Sequence, residues 1–205
     1  MIKKQGVAKM SDYSRMIAVT DRHVFDGAGD PGAAFLRQLK KIAMLGPKAV
    51  VLREKDLDPA GYLALSRQVL ACLPDPKLLI LHSFWETALE LGVPKIHLPL
   101  HLLKELYEAK SDPLREFEVI GTSVHSVGDA ADAVRFGASY LFAGNVYETT
   151  CKPGLEGRGL SYLRDVARSV SVPVYGIGGI TAEKMPDLLA AGAAGGCIMS
   201  GFMTL

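Results

Sequence analysis

Cysteine is scarce in this chain of 205 residues, and what there is does not pair. The three cysteines, Cys72, Cys151 and Cys197, are odd in number and far apart, with no Cys-x-x-Cys. That excludes a disulfide framework and a zinc knuckle and points to a reducing, cytoplasmic setting. Charge of one sign is also lacking: 23 basic residues face 22 acidic ones. A balanced chain offers no electrostatic case for nucleic acid or an anionic membrane surface. No apolar run approaches the ~18 residues of a membrane span. The first fifteen residues have two lysines but no apolar core or cleavage site, so they read as a polar leader and not a signal peptide. No linker or low-complexity tract divides the rest, which leaves one domain over residues 16–205.

What is present is alternation. Short apolar runs fall at Met16–Thr20, Ala49–Leu52, Leu78–Leu81, Lys95–Leu98, Val119–Ser123, Tyr140–Ala143, Val172–Ile177 and Gly196–Met199. Between them lie segments with helical spacing of apolar residues. The runs are apolar at successive positions, as in strands of a parallel sheet covered on both faces. Eight strands and seven clear helices predict an α/β fold, a single-domain (β/α)8 TIM barrel. Only six residues follow Met199, so the last outer helix is expected to be short or absent. The leader, or a second copy in a homodimer, is then expected to cover that face.

Barrels of this kind carry their sites at the C-terminal ends of the strands. The strongest local signal is Gly176-Ile-Gly-Gly-Ile180 at the end of the seventh strand. A tight glycine turn leading into a helix exposes backbone N–H groups to an anion. With Ser200 and Gly201 after the eighth strand, Gly178 and Gly179 are the expected phosphate-binding residues; otherwise they only make tight turns. His125, just past the fifth strand, is the candidate for proton transfer, because imidazole titrates near working pH. The alternative is a solvent-exposed loop histidine. Arg53 and Lys55, two residues apart and so on one face, are candidates to bind an anionic substrate. His97, Ser123 and Lys152 complete the expected substrate contacts, and His82 is ambiguous.

Together, Val51-Leu-Arg-Glu-Lys55, Gly121-Thr-Ser-Val-His-Ser126, Gly176-Ile-Gly-Gly-Ile180 and Ile198-Met-Ser-Gly201 resemble the thiamine phosphate synthase superfamily, from about Met16 to Gly201. In the synthases of that superfamily, an Asn-Asp pair after the third strand and an Asp after the fourth help to hold a magnesium pyrophosphate. Here His82-Ser83 and Leu102 stand at those places. The resemblance therefore implies no metal and no cofactor for this chain. The run Tyr147-Glu-Thr-Thr-Cys-Lys152, continuing to Gly159, is similar to the superfamily's thiazole tautomerases, the TenI-like branch. On that resemblance the chain is expected to be an isomerase, with His125 moving a proton on a thiazole carboxylate phosphate. Two alternatives are a magnesium-dependent thiamine phosphate synthase and a non-catalytic regulator that binds a thiazole or thiamine phosphate.

Overall fold

The computed structural model describes residues 12–109, 112–149 and 154–205. Eight strands, β1 (Met16–Val19), β2 (Ala49–Leu52), β3 (Leu79–His82), β4 (Lys95–Leu98), β5 (Val119–Val124), β6 (Tyr140–Gly144), β7 (Val174–Ile177) and β8 (Gly195–Ile198), close into a barrel in sequence order. Every pair is parallel, and β8 closes on β1 with Ile17 opposite Cys197. Between the strands run α1 (Pro31–Met44), α2 (Pro59–Cys72), α3 (Trp85–Glu90), α4 (Leu100–Glu108), α5 (Val127–Arg135), α6 (Gly159–Ser169) and α7 (Met185–Ala190). The expected TIM barrel is therefore what forms.

The helices start where local chemistry dictates. Asp30 and Asp58 each accept a hydrogen bond from the third residue on, and Pro31 and Pro59 supply the preset φ of a first helical position. Helix α1 then buries Phe35, Leu39 and Ile42 at spacings of four and three residues against the sheet. Between β7 and α7 the chain first makes a 3-10 turn at Ala182–Lys184, which leads into α7 with Pro186 near its start.

Alternate strand residues face two different cores. Ala18, Val50, Leu81, Ile96, Leu141 and Val174 pack outward against the helices. Ile17, Val19, Val51, Ile80, Tyr140, Phe142, Tyr175 and Cys197 fill the barrel interior. After β8 the chain makes only α8 (Ser200–Met203). Phe202 and Met203 are buried there, the Tyr13 ring lies 5.8 Å from that of Phe202, and Gln38 Nε2 donates to the Phe202 carbonyl at 2.7 Å. A residue of the expected leader thus helps to cover the face that a full helix would cover elsewhere in the barrel.

Candidate active site

The mouth of the barrel is organised first by a buried carboxylate. Glu54 is 2% exposed. It accepts from the Thr20 hydroxyl at 2.6 Å and from the Arg22 backbone N–H and guanidinium, each at 3.2 Å. Arg22 also pairs bidentately with Asp56 through both terminal nitrogens, which holds the Asp56 carboxyl below its ordinary range. The loops after β1 and β2 are tied together by these bonds.

The same network settles where Arg53 and Lys55 stand. Their neighbouring carboxylates are occupied by Arg22 and His23. Among the described residues the Arg53 guanidinium has no ion-pair partner. It is half-buried, and its charge reaches both His82 and His97. Lys55 is exposed, and its charge also acts on His82. The structure thus brings the predicted cationic pair to one place, above two buried imidazoles.

Those imidazoles are uncharged. Burial, then the charges of Arg53 and Lys55, push the His82 pKa down to about 3. His97, fully enclosed, is held well below its usual value by burial, then by His82 and Arg53. The rings stack with centroids 5.6 Å apart. Unfolded, both would take up protons as pH falls through about 6.5; folded, they do not. Their neutral state therefore contributes full stability above pH 6.5, and that contribution is lost as pH drops from 6.5 towards 3. The expected slope is up to ~1.4 kcal/mol per pH unit for each histidine. Urea unfolding between pH 7 and pH 4 measures it; a flat profile in wild type, equal to that of His82→Asn, would show the assignment to be wrong.

His97 was expected to touch substrate, but it is only 1% exposed and so enclosed beneath the mouth. Both its nitrogens are bonded, Nδ1 with the Tyr140 hydroxyl and Nε2 with the Ser123 hydroxyl, each at 3.0 Å. Ser123 is half-buried at the end of β5, one turn of strand before His125.

His125 is exposed at the rim. Bonds at the start of α5 fix its backbone: the N-cap Ser126 Oγ accepts from the Asp129 N–H, and the Asp129 carboxylate accepts from the His125 N–H at 2.8 Å. Its Nδ1 lies 2.8 Å from the Gly144 carbonyl oxygen. A carbonyl only accepts, so Nδ1 carries the proton, and Nε2 of the neutral ring is left as an acceptor.

Gly178 and Gly179 have φ of +98° and +63°, which side-chain-bearing residues rarely adopt. A Cβ on Gly178 would strike Asn145, and one on Gly179 would strike Tyr147 and the Glu148 carbonyl. The glycines therefore let the loop after β6 lie directly on the loop after β7. Tyr147 N–H donates to the Gly178 carbonyl at 3.1 Å, and Lys184 Nζ donates to the Gly179 carbonyl at 2.6 Å while sitting over the Tyr147 ring. In the turns and caps of the described residues, the amides of Gly178, Gly179, Ser200 and Gly201 donate to no carbonyl. Those of Ser200 and Gly201 open α8, where first-turn N–H groups have no intrahelical acceptor. Lys152 lies outside the described residues.

Sequence reading missed Asn145. It is 4% exposed, and its side-chain amide donates to the carbonyls of Tyr147, Leu155 and Glu156, each at 3.3 Å. It thereby gathers both ends of the loop after β6. Only the polar residue ending an apolar run hinted at this.

The residues do not fit the magnesium site of a synthase. His82 Nδ1 is bonded to Ser83 Oγ at 2.8 Å, and Leu102 packs against the core. Magnesium needs oxygen donors, commonly carboxylates. Among the described residues no group of three or more His, Cys, Asp or Glu side chains is arranged so that it could hold a metal ion. Nor, among them, is any helix long and apolar enough to cross a membrane.

A family model described as thiamine monophosphate synthase, TMP-TENI, matches residues 16–202. A protein of Aquifex aeolicus with the provisional name thiamine-phosphate synthase 2 is 32% identical over 90% of this chain and 95% of its own. The thiamine-phosphate synthase of Clostridium acetobutylicum is 28% identical over 96% of this chain and 90% of its own. A solved structure, thiamine phosphate pyrophosphorylase from Pyrococcus furiosus, superposes with a TM-score of 0.72 at 22% identity, over 96% of this chain and 91% of that one, which is a likeness of fold. These relatives correct the expectation of an isomerase. They bear the name of a synthase, a transferase, over nearly the whole chain, whereas the tautomerase reading rested on one loop and on His82, Ser83 and Leu102 standing where metal ligands were expected.

Proposed function

We propose, for a chain that belongs to the thiamine monophosphate synthase family, that the barrel mouth binds thiazole and thiamine phosphates and works as a thiamine-phosphate-forming transferase. The observation that carries this reading is the placement of Arg53: a cation without an ion-pair partner among the described residues, facing a mouth floored by neutral histidines. A cation held there without a carboxylate is poised for an anionic substrate, and low local polarity strengthens that attraction. The amides of Gly178, Gly179, Ser200 and Gly201 are the candidate phosphate cradle, at the loops where this fold recurrently binds phosphate. Lys55 adds positive potential, Ser123 offers a hydroxyl, and His125 offers its Nε2 at the rim. The Glu54 network keeps the loop bearing Arg53 in place. The leaving pyrophosphate of such a transfer would be met by these cations.

A second reading has its own observation. Where a synthase's metal ligands are expected, His82, Ser83 and Leu102 stand, and this favours a non-catalytic protein that binds the same phosphates. One experiment separates the two. The purified chain is mixed with the thiazole phosphate and the pyrimidine diphosphate co-substrate, with and without magnesium, and released pyrophosphate and thiamine phosphate are measured. Both products in equal amounts support the transferase. Thiamine phosphate binding in calorimetry with no turnover under either condition would replace it with the binding protein.

A further inference from the structure

Three side chains at the floor of the mouth form one hydrogen-bond chain: Tyr140 Oη to His97 Nδ1 and His97 Nε2 to Ser123 Oγ, both 3.0 Å. Three strands contribute to it, and Tyr140 stands opposite Gly121 in the sheet register, where the missing side chain leaves space for its ring. The direction of the protons along this chain is not free. A neutral imidazole has one N–H and one lone pair, so one hydroxyl donates to it and the other accepts.

Suppose Tyr140 accepted from an Nδ1–H. Its own phenolic proton would then need another acceptor. Tyr140 is 6% exposed and surrounded by Phe142, Tyr175 and Cys197, and among the described residues its hydroxyl has no hydrogen-bond partner but His97. A buried donor would be left unmade, which is costly. With the opposite direction every enclosed donor is used: Tyr140 donates to Nδ1, and Nε2–H donates to Ser123. Ser123 Oγ already accepts, so its proton points elsewhere, and among the described residues it has no other protein partner. It lies at the mouth, where a ligand oxygen would be the acceptor.

We infer that Tyr140 and His97 are positioning residues that lock Ser123 as a hydrogen-bond donor to the bound phosphate compound, so that this site selects a ligand with an acceptor oxygen above β5. The inference rests on the ligand site proposed above. It adds to that reading the orientation of one group and the reason a histidine and a tyrosine are enclosed beneath it.

The test has two readouts. Protein labelled with 15N-histidine is first examined by NMR without ligand, with His97 identified from the signals lost in His97→Asn. The expected tautomer is Nε2–H; an Nδ1–H tautomer would overturn the inference. Thiamine phosphate binding is then measured by calorimetry in wild type, Ser123→Ala, Tyr140→Phe and the double variant. Each single change is expected to weaken binding about tenfold, the worth of one hydrogen bond. The double variant should bind no more weakly than Ser123→Ala alone, because Tyr140 acts only through Ser123. Full additivity would mean independent roles and would also overturn it. Should Tyr140→Phe not fold, the wild-type tautomer and Ser123→Ala still decide. No thiamine phosphate binding by folded wild type would sink the ligand reading alone, whereas the wrong tautomer sinks the chain alone.

Discussion

Replacing Arg53 by Gln is expected to weaken thiamine phosphate binding about a hundredfold, or ~2.7 kcal/mol. Glutamine keeps much of the length and hydrogen-bonding ability but removes the charge. Arg22 is committed to Glu54 and Asp56 and Lys184 to the Gly179 carbonyl, and the exposed Lys55 adds potential at the mouth without a guanidinium's paired donors. Arg53→Lys should recover only part of the loss, because an ammonium cannot present two parallel donors. A second consequence distinguishes this site from a distant surface charge. Arg53 helps to keep His82 and His97 neutral. Without it both should protonate more readily, and the loss of stability between pH 6.5 and pH 3 should become shallower. Calorimetry at two salt concentrations and urea unfolding against pH measure the two effects. Unchanged affinity in a folded Arg53→Gln variant would remove Arg53 from the site and with it the main support for an anion at the mouth.

Gly121→Ala is expected to cost about 3 kcal/mol of stability, the upper range for overpacking a core. An added Cβ would fall within the Tyr140 ring. That ring packs against Phe142 and Tyr175 and is bonded to His97, so it has nowhere to move without breaking the hydrogen bond. For a domain of this size the melting temperature should fall by about 10 °C. Gly29→Ala, where nothing lies near the added atom, is the control and should change little. A Gly121→Ala variant as stable as that control would mean that the Tyr140 ring relaxes freely, and the oriented chain beneath Ser123 would lose its rigidity.

Much of the barrel was written in the sequence in local terms. Asp30-Pro31, Asp58-Pro59 and Ser126 with Asp129 are caps whose partners lie within three residues. Strand runs such as Ala49–Leu52 are apolar on both faces, and that is a property of the run itself. The positions of Arg53, Ser123, His125 and the Gly178-Gly179 turn at strand ends followed from the same pattern. Asn145 and Glu54 did not. Asn145 is recognised by carbonyls brought to it by a folded loop, and Glu54 by Thr20 and Arg22 from another strand end. His97 read as a ligand contact because its burial depends on Tyr140, 43 residues away. The isomerase expectation was drawn from the replaced ligand positions His82, Ser83 and Leu102 and from a loop sequence, the part of a barrel that varies most freely on a constant scaffold.

By itself, then, the sequence determined the class of fold, the strand order and the side of the barrel on which chemistry sits. Hydrophobic periodicity, caps and glycine turns act over a few residues and need no partner to be read. Tertiary structure alone decided which polar groups are satisfied by one another and which are left for a ligand. Glu54 became a strut, His82 and His97 became neutral, and Arg53 was left without a counter-charge among the described residues. The reason is physical: charge, tautomer and hydrogen-bond direction depend on burial and on neighbours, and closure of the barrel brings those neighbours together from distant parts of the chain.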